Sequence, residues 1–452
     1  MKLSRFFLFI VLLTTSVIAQ SVNVAARPNI LIITADNLGY GDLHCYNPNS
    51  SIITPRLDRW AVESARLTSF YTASSTCTVS RACLLTGRIP QRHGLDYQLP
   101  GEVGNYGIGL NQNEILIPRL LKSAPTPYVT GCFGKWNIGF AEGSRPTERG
   151  FDEFIGHASG NMDYYNHNYR SRHDLFLGTK ELYREGEYAT DIFADAAVDF
   201  ILRQSKADKP WFCYLPFNAP HFPSAKNKKS GQPNNWQAPD WAFELYGWSP
   251  GEEDPEKRYA AVVTALDKAI GSVLDSLDEA GVADNTFVFF MSDNGGFRLD
   301  RKGIDIGIND PLRQGGVTCW EGGIRVAAMA RWPGNIKPGS VISEPFWSPD
   351  LMTACAELSG ATLPDNIVFD GRNPLPLLTD GAKSAHESFF FVYQDHAALR
   401  EGDWKIVREN PTDPWQLFNL EEDISEAYNL AKKHPDHVAR LETAFKNWKK
   451  TF

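Results

Sequence analysis

The stretch Thr286-Phe287-Val288-Phe289-Phe290-Met291-Ser292-Asp293-Asn294 joins a short apolar run to an acid and an amide. Such a run is typical of a strand that is buried on both faces of a parallel sheet. Two other runs have the same design: Ile30–Ile33 leads to Asp36-Asn37, and Trp211–Phe217 leads to the polar stretch 218–221. In open α/β sheets, ligands bind outside the carboxyl ends of the strands, so these three strand ends predict one shared site.

Helical periodicity between the apolar runs predicts helices that connect the strands, as in a wound α/β sheet. Apolar residues recur at helical spacing from Tyr259 to Leu277, just before the third run, and a second helix is predicted over Asp191–Arg203. We therefore predict an α/β fold with a large, mainly parallel sheet flanked by helices. The stretch Leu363–Lys383 is rich in Pro, Gly and Asp and resembles a connector, and short strand-like segments with a terminal helix follow it. This tail predicts a smaller C-terminal α+β subdomain.

The N-terminus is typical of a secretory signal peptide. Lys2 and Arg5 precede the apolar run Phe6–Leu13, and Val17-Ile18-Ala19 offers small residues for cleavage. The run is too short to span a bilayer, so we expect export to the periplasm or the extracellular space, with no membrane span in the mature form. The domain boundaries that we predict are a signal peptide at 1–19, a catalytic domain at 20–375 and the C-terminal subdomain at 376–452.

Composition excludes several classes of protein. The 452 residues are 42% apolar and 22% charged, which is ordinary globular composition. The formal net charge of -9 gives no electrostatic attraction to nucleic acid or anionic lipid, so we predict no nucleic-acid partner. Seven scattered cysteines form no CxxC pair, and their odd number leaves at least one thiol outside any intramolecular disulfide.

Two of the strand ends carry a carboxylate followed by an amide, Asp36-Asn37 and Asp293-Asn294. Oxygen donors of this kind suit a hard divalent cation such as Ca²⁺ or Mg²⁺. Asp and Asn are also common in turns, so either pair taken alone is better explained as plain turn residues. The two pairs become a predicted metal site only in combination with a further motif.

That motif is Cys77-Thr78-Val79-Ser80-Arg81-Ala82-Cys83-Leu84-Leu85-Thr86-Gly87-Arg88. It closely resembles the signature of the sulfatase family, C-x-P-S-R-x-x-L-L-T-G-R. The chain is similar to that family in several further segments, which occur in the family's order. They are Asp36–Asp42, Gly134-Lys135-Trp136, Ala219-Pro220-His221, Ser292–Gly295, Trp320–Arg325, Gly402–Lys405 and Leu417–Leu420.

The resemblance implies a hydrolase of sulfate esters in the alkaline-phosphatase-like superfamily. In this family a modifying enzyme oxidises the signature cysteine, here Cys77, to formylglycine (3-oxoalanine), whose hydrate attacks sulfur. A bound Ca²⁺ (or Mg²⁺) lowers the pKa of the attacking hydroxyl. Transferred position by position, the metal ligands are Asp36, Asn37, Asp293, Asn294 and an oxygen of modified Cys77.

The resemblance also implies roles around the sulfate. Arg81 lies four residues beyond Cys77, one helical turn away, and is expected to orient the modified side chain. Lys135 and His221 are expected to bind sulfate oxygens, and His221 to act on the leaving group. Asn137 takes the place of the histidine in the family's G-K-W-H segment and is expected to contact substrate. A helix that begins near Cys77 would add its positive N-terminal end.

Four positions depart from the family pattern, and they keep two alternatives open. Val79 replaces the usual Pro that the modifying enzyme recognises, and Asn37 replaces a common second Asp. Asn137 and Gly316 replace a His and a Lys that bind sulfate. We expect Gly316→Lys to raise activity if the site is otherwise competent.

The first alternative is therefore a catalytically impaired relative that binds sulfated ligands. The second is a phosphoesterase of the same superfamily, which would need a Ser or Thr nucleophile and two zinc ions. The substrate that we expect is a sulfated small molecule or glycan. The segment Gly160–His167 resembles pocket-lining segments of carbohydrate-directed sulfatases.

Overall fold

The structure is a computed structural model that describes residues 27–101, 106–223, 236–299 and 304–452. The predicted signal peptide at 1–19 lies outside these ranges, so its prediction stays untested. Within the described ranges, no helix combines the length and the apolar character that a membrane crossing requires.

A ten-stranded mixed sheet forms the centre of the molecule. In chain order its strands are β1 (Asn29–Ala35), β2 (Ala65–Leu67), β3 (Val129–Lys135), β4 (Glu153–His157), β5 (Phe176–Leu177), β6 (Lys180–Glu181), β7 (Trp211–Pro216), β8 (Thr286–Ser292), β9 (Ala328–Arg331) and β10 (Val341–Ile342). They follow one another across the sheet in the order β10-β2-β9-β8-β1-β7-β3-β4-β5-β6.

The middle of the sheet is parallel, as predicted. Strands β8, β1, β7, β3 and β4 pair in parallel, whereas β9 and β5 begin antiparallel edges on the two sides. Every residue of β1, β7 and β8 is buried, which explains why these strands are continuous apolar runs with no polar alternation. Parallel pairing aligns Ala35 with Ser292, so Asp36 and Asp293 leave the sheet side by side.

Helices cover both faces of this sheet, and two hydrophobic clusters lie between the sheet and the helices. The helices are α1 (Pro55–Glu63), α2 (Cys77–Thr86), α3 (Pro90–His93), α4 (Ile117–Lys122), α5 (Ala189–Gln204), α6 (Asp240–Glu244), α7 (Pro255–Glu279), α8 (Glu321–Ile324), α9 (Asp350–Ser359), α10 (Leu375–Asp380) and α11 (Pro435–Lys449). Short two-stranded pairs join Phe70–Tyr71 to Phe346–Trp347, Asn168–Tyr169 to Arg172–His173, and Arg298–Leu299 to Ile304–Asp305. Single 3₁₀ turns lie at Pro146–Glu148 and Ala283–Asn285.

Local sequence explains where the principal helices begin and end. Pro255 occupies the first turn of α7, and the carboxylate of Asp254 accepts a hydrogen bond from the Glu256 N–H at 2.9 Å. Helix α2 ends at Gly87, whose φ of 68° is left-handed and whose N–H donates to the Cys83 carbonyl at 2.9 Å. An added Cβ at residue 87 would also lie 2.5 Å from Met352, so glycine is required there on two grounds.

The C-terminal part forms a second, four-stranded antiparallel sheet. Its strands are β11 (Ser388–Tyr393), β12 (His396–Glu401), β13 (Trp404–Arg408) and β14 (Gln416–Asn419), and α11 packs on one face. The other face packs on the main body through a hydrophobic cluster that includes Val79, Trp320, Phe391 and Phe418. The predicted subdomain is thus present, although helix α10 interrupts the segment that resembles a connector.

Candidate active site

The carboxyl ends of β1, β8, β3 and β7 bring the predicted residues together at one edge of the sheet. Asp36 and Asp293 follow β1 and β8, Lys135 ends β3, and His221 lies in the loop after β7. Asp36, Lys135 and Asp293 have almost no exposed surface, and His221 is half-buried. The sheet topology therefore assembles four residues that are separated by as many as 257 positions, as the strand-end pattern predicted.

Two carboxylates and two cations alternate at this edge. The Lys135 ammonium lies 2.5 Å from Asp36 Oδ2, and the Arg81 guanidinium lies 2.7 Å from Asp293 Oδ2 and 3.9 Å from Asp36 Oδ2. Arg81 also donates to the Lys135 carbonyl at 3.0 Å. Burial and the negative charge of Asp36 raise the pKa of Asp293 to about 6, because burial disfavours the charged form and two neighbouring anions repel each other.

Cys77 is the first residue of α2 and points toward these charges. Its thiol lies 3.7 Å from Asn37 Oδ1. Burial and the nearby Asp36 carboxylate raise the pKa of the Cys77 thiol well above its ordinary value, so the unmodified residue is a poor thiolate nucleophile. Asp36, Cys77 and His221 each present a potential ligand atom within 4.8 Å of the other two.

Several oxygen atoms in the site lack a hydrogen-bond donor. Asp36 Oδ1 and Asn294 Oδ1 are buried and have no donor in the described part of the chain. Leaving a buried acceptor unsatisfied costs about 1–3 kcal/mol. Asn37, which has a φ of 63°, follows Asp36 in the chain, and its Oδ1 accepts from Asn294 Nδ2 at 2.6 Å. These carboxylate and amide oxygens fit a hard divalent cation such as Ca²⁺ or Mg²⁺.

The His221 ring has a fixed orientation. Its Nδ1 lies 2.6 Å from the Phe222 carbonyl, which can only accept, so Nδ1 carries a proton and Nε2 is the nitrogen left for the site. The Tyr164 hydroxyl donates to the His221 carbonyl at 2.6 Å and holds the loop from the other side. Burial and the Lys135 charge lower the pKa of His221 to about 3, so the ring is neutral before an anion arrives.

Asn137 lies beside the start of α2 and has no exposed surface. Its Oδ1 accepts from Thr78 Oγ1 at 3.0 Å and from Gln98 Nε2 at 3.4 Å. Gln98 Oε1 in turn accepts from the Thr78 N–H at 3.2 Å and from Thr76 Oγ1 at 3.0 Å, which satisfies one N–H of the first turn of α2. Gly160 lies next to both amides, so the segment 160–167 begins beside Gln98 and Asn137.

Comparison with protein families identifies the chain. The model of the family described as Sulfatase matches residues 28–361, which carry all the residues above. The protein belongs to the sulfatase family.

Curated sulfatases resemble the chain over most of its length. N-acetylgalactosamine-6-sulfatase of Homo sapiens is 32% identical over 424 residues, which cover 89% of this chain and 76% of the relative. Arylsulfatase A of Homo sapiens is 32% identical over 474 residues, which cover 91% of this chain and 85% of the relative. The protein is thus an enzyme of the sulfuric ester hydrolase class.

Solved structures agree with this assignment. The crystal structure of Ps i-CgsB superposes with a TM-score of 0.83 at 31% identity, covering 93% of this chain and 92% of that one. Its complex with k-i-k-neocarrahexaose gives a TM-score of 0.81 at 30% identity, covering 93% and 92% of the two chains. The phosphonate monoester hydrolase SpPMH, at 20% identity and a TM-score of 0.66, shares the fold.

Sequence reasoning did not find two residues that border this sulfatase site. Gln98 lies in the loop after α3 with no recognisable motif around it, and only the folded chain brings its amide to Thr78 and Asn137. Phe297 follows the second metal segment, and its ring centroid lies 5.6 Å from that of His221. An isolated glutamine and an isolated phenylalanine give no sequence signal of their position.

Proposed function

We propose that this protein hydrolyses a sulfate ester of a sulfated carbohydrate through a formylglycine derived from Cys77. One observation supports this most strongly. A cysteine at the first turn of a buried helix lies within 4.8 Å of both a strand-end carboxylate and a histidine, next to two buried cations. This arrangement places two cations beside a nucleophile, so it is suited to binding a small anion that both cations contact.

In this proposal the cation is Ca²⁺ (or Mg²⁺), and its ligands are Asp36, Asn37, Asp293, Asn294 and an oxygen of the modified Cys77. The buried oxygens without donors at Asp36 and Asn294 support this ligand set. Formylglycine, when formed and hydrated, supplies the attacking hydroxyl, and the bound cation lowers the pKa of that hydroxyl.

The protein's own side chains would then act on the sulfate and its leaving group. Arg81 holds Asp293 in place and orients the modified side chain of Cys77. Lys135 binds a sulfate oxygen, since its ammonium is buried and rigidly held at Asp36. His221 presents Nε2 to the leaving oxygen, and the incoming sulfate anion favours its protonated form.

Substrate binding extends beyond the sulfate in this proposal. Asn137 contributes from the side of the pocket that Thr78 and Gly160 border. A glycan is the proposed substrate because one relative is an N-acetylgalactosamine-6-sulfatase and a solved neighbour holds a neocarrahexaose. A formylglycine-generating or equivalent enzyme is the proposed partner, and the apolar N-terminal run supports the proposal that the protein is exported.

The test is sulfate release by protein exported from its native host, together with mass spectrometry of the tryptic peptide Leu67–Arg81. We expect an aldehyde or its hydrate at Cys77 and sulfate release that requires Ca²⁺ or Mg²⁺. Cys77→Ala should abolish turnover, whereas Cys45→Ala, a half-buried thiol outside the site, should not.

Other outcomes would replace the proposal. Unmodified Cys77 and sulfate binding without turnover would favour the impaired relative that binds sulfated ligands. Release of phosphate instead of sulfate, with bound zinc, would favour the phosphoesterase.

A further inference from the structure

Gly316 and Phe297 form a complementary pair beside His221. A Cβ built on Gly316 would lie 2.8 Å from Cδ1 and 3.0 Å from Cε1 of Phe297, and 2.9 Å from the Gly295 carbonyl oxygen. One edge of the Phe297 ring therefore lies against Gly316, and any side chain at 316 has to displace the ring. The Gly316 N–H donates to the Gly296 carbonyl at 3.0 Å, which fixes this backbone against the Phe297 segment.

Phe297 continues an aromatic surface that begins at His221. The two rings meet edge to face, with centroids 5.6 Å apart and an interplanar angle of 83°. Phe222 lies 4.8 Å from His221 and 6.4 Å from Phe297, and Trp236 packs on Phe222 at 5.6 Å. Phe297 and Phe222 are both only half-buried, unlike the aromatic residues of the core. Among the described residues, this surface is therefore partly exposed next to the catalytic histidine proposed above.

We propose that Phe297 determines substrate specificity by stacking against the apolar face of the sugar ring that carries the sulfate. This inference rests on the proposed function. A ring nitrogen of His221 lies within 4.8 Å of Cys77 Sγ and an Asp36 oxygen, and in the proposed function it faces the leaving oxygen, so the sugar that bears this oxygen would lie on the His221 side of the site. A pyranose presents axial C–H groups that pack on an aromatic face, whereas its hydroxyl edge does not. Gly316 makes this possible because the absence of its side chain leaves room for the ring.

The experiment compares three variants at these positions. Phe297→Leu keeps an apolar side chain but removes the flat ring, Phe297→Tyr keeps the ring, and Gly316→Ala adds only the Cβ that meets the ring. Substrates are N-acetylgalactosamine 6-sulfate, a neocarrahexaose and 4-nitrophenyl sulfate. The inhibition constant of inorganic sulfate is measured in parallel, because that anion occupies only the sulfate pocket.

For a sulfated sugar that the wild type hydrolyses, we expect Phe297→Leu to lower kcat/KM about tenfold through KM. Phe297→Tyr should restore most of the loss, and Gly316→Ala should reproduce the Leu defect. The inhibition constant of inorganic sulfate should change less than about twofold, because the sulfate pocket is intact. Equal losses for sugar and inorganic sulfate, or an unchanged KM, would overturn the inference.

Failure of the proposed function gives a different result. If wild-type protein with modified Cys77 releases no sulfate from any of the three substrates, binding of the neocarrahexaose to wild type and Phe297→Leu is measured by saturation-transfer NMR. Weaker transfer to the sugar C–H protons in Phe297→Leu would support the stacking site, and equal transfer would refute it.

Discussion

Two clusters of buried charge differ in how completely their carboxylates are satisfied. In the cluster at the end of β1 and β8, Lys135 pairs with one oxygen of Asp36 while the other oxygen has no donor in the described ranges. In the second cluster, between the main body and the C-terminal sheet, Lys405 lies 2.8 Å from both Glu321 and Glu426.

Every carboxylate oxygen of the second cluster lies beside a cation or a hydrogen-bond donor, although Glu426 Oε1 has only the Lys405 ammonium and makes no hydrogen bond within the described residues. Glu321 Oε2 accepts from the Tyr71 hydroxyl at 2.6 Å and lies 3.2 Å from Arg325. Glu426 Oε2 accepts from the Glu321 N–H at 2.7 Å. Buried charges that are fully paired specify a structure, whereas buried oxygens without donors mark a place for a ligand. We therefore assign the first cluster to chemistry and the second to domain packing.

The largest expected effect is the loss of activity when Lys135, the lysine of the first cluster, is replaced. Lys135→Met should lower kcat on the order of 10³-fold, because it removes a preorganised cation from the proposed sulfate site. Its melting temperature in the presence of Ca²⁺ should change little, because the cation compensates Asp36. Steady-state kinetics and calorimetry on the same preparation check both parts. Loss of folding with no kinetic defect in the remaining protein would place Lys135 with the structural cluster.

The opposite result, a loss of stability with little change in activity, is expected for Lys405 of the second cluster. Lys405→Met should reduce the free energy of unfolding by about 3–5 kcal/mol, because Glu321 and Glu426 are left buried without their shared cation. The kcat of the molecules that remain folded should stay close to that of the wild type. Urea unfolding measures the loss, and active-site titration corrects kcat for unfolded protein. A stable but inactive variant would contradict the assignment.

Removing the cation should affect only the first cluster. A ligand present at 100 times its Kd stabilises the folded state by about 2.7 kcal/mol, so EDTA should lower the melting temperature by several degrees. Asp293→Asn should abolish this shift, since it removes one of the two facing carboxylates. Calorimetry with and without Ca²⁺ checks the difference. A Ca²⁺ response that persists in Asp293→Asn would show that the ion binds elsewhere.

The smallest expected effect concerns the decrease of the free energy of unfolding at acidic pH. Burial opposes ionisation of Glu321, but the charges of Lys405 and Arg325 prevail and lower its pKa from 4.5 to about 2. At Glu321 the folded state then binds fewer protons than the unfolded state, so the stability that this carboxylate contributes is present above pH 4.5 and is lost as the pH falls toward 2. Burial raises the pKa of the neighbouring Glu426 to about 7, which acts in the opposite direction, so the effect is read from the difference between variants. Urea unfolding between pH 6 and pH 3 should show a shallower decline for Glu321→Gln than for the wild type. Glu421→Gln, at an exposed position, is the matched control, and equal slopes for the two variants would contradict the prediction.

The sequence predicted the central elements well because each carries an uninterrupted signal. The run Thr286–Met291 became the strand Thr286–Ser292, and the periodic stretch from Tyr259 to Leu277 became the helix Pro255–Glu279. The strand Val129–Lys135 was not predicted, because Gly131 and Gly134 interrupt its apolar run.

Glycine is required at these positions by tertiary packing, which no local sequence pattern reveals. A Cβ at Gly134 would lie 2.0 Å from the Pro216 carbonyl of the neighbouring strand, so β3 needs glycine to approach β7. The site followed the same rule. The convergence of the motif residues was predictable from the strand ends, and their roles stay predictions, whereas Gln98 and Phe297 approach them only through tertiary packing. The expected benefit of Gly316→Lys also ignored the Phe297 ring, which fills the space where that side chain would begin.

The burial of α2 fixes an order of events in biosynthesis. All ten residues of this helix are buried, and Cys77 itself is only 3% exposed. Val79 belongs to the cluster that Phe391 and Phe418 of the C-terminal sheet complete, so the last part of the chain closes over the helix. An enzyme that oxidises Cys77 therefore has to reach it while this segment is still unfolded. If Cys77 is modified as proposed, the modifying enzyme competes with folding of the chain, and molecules that fold first retain an inaccessible thiol.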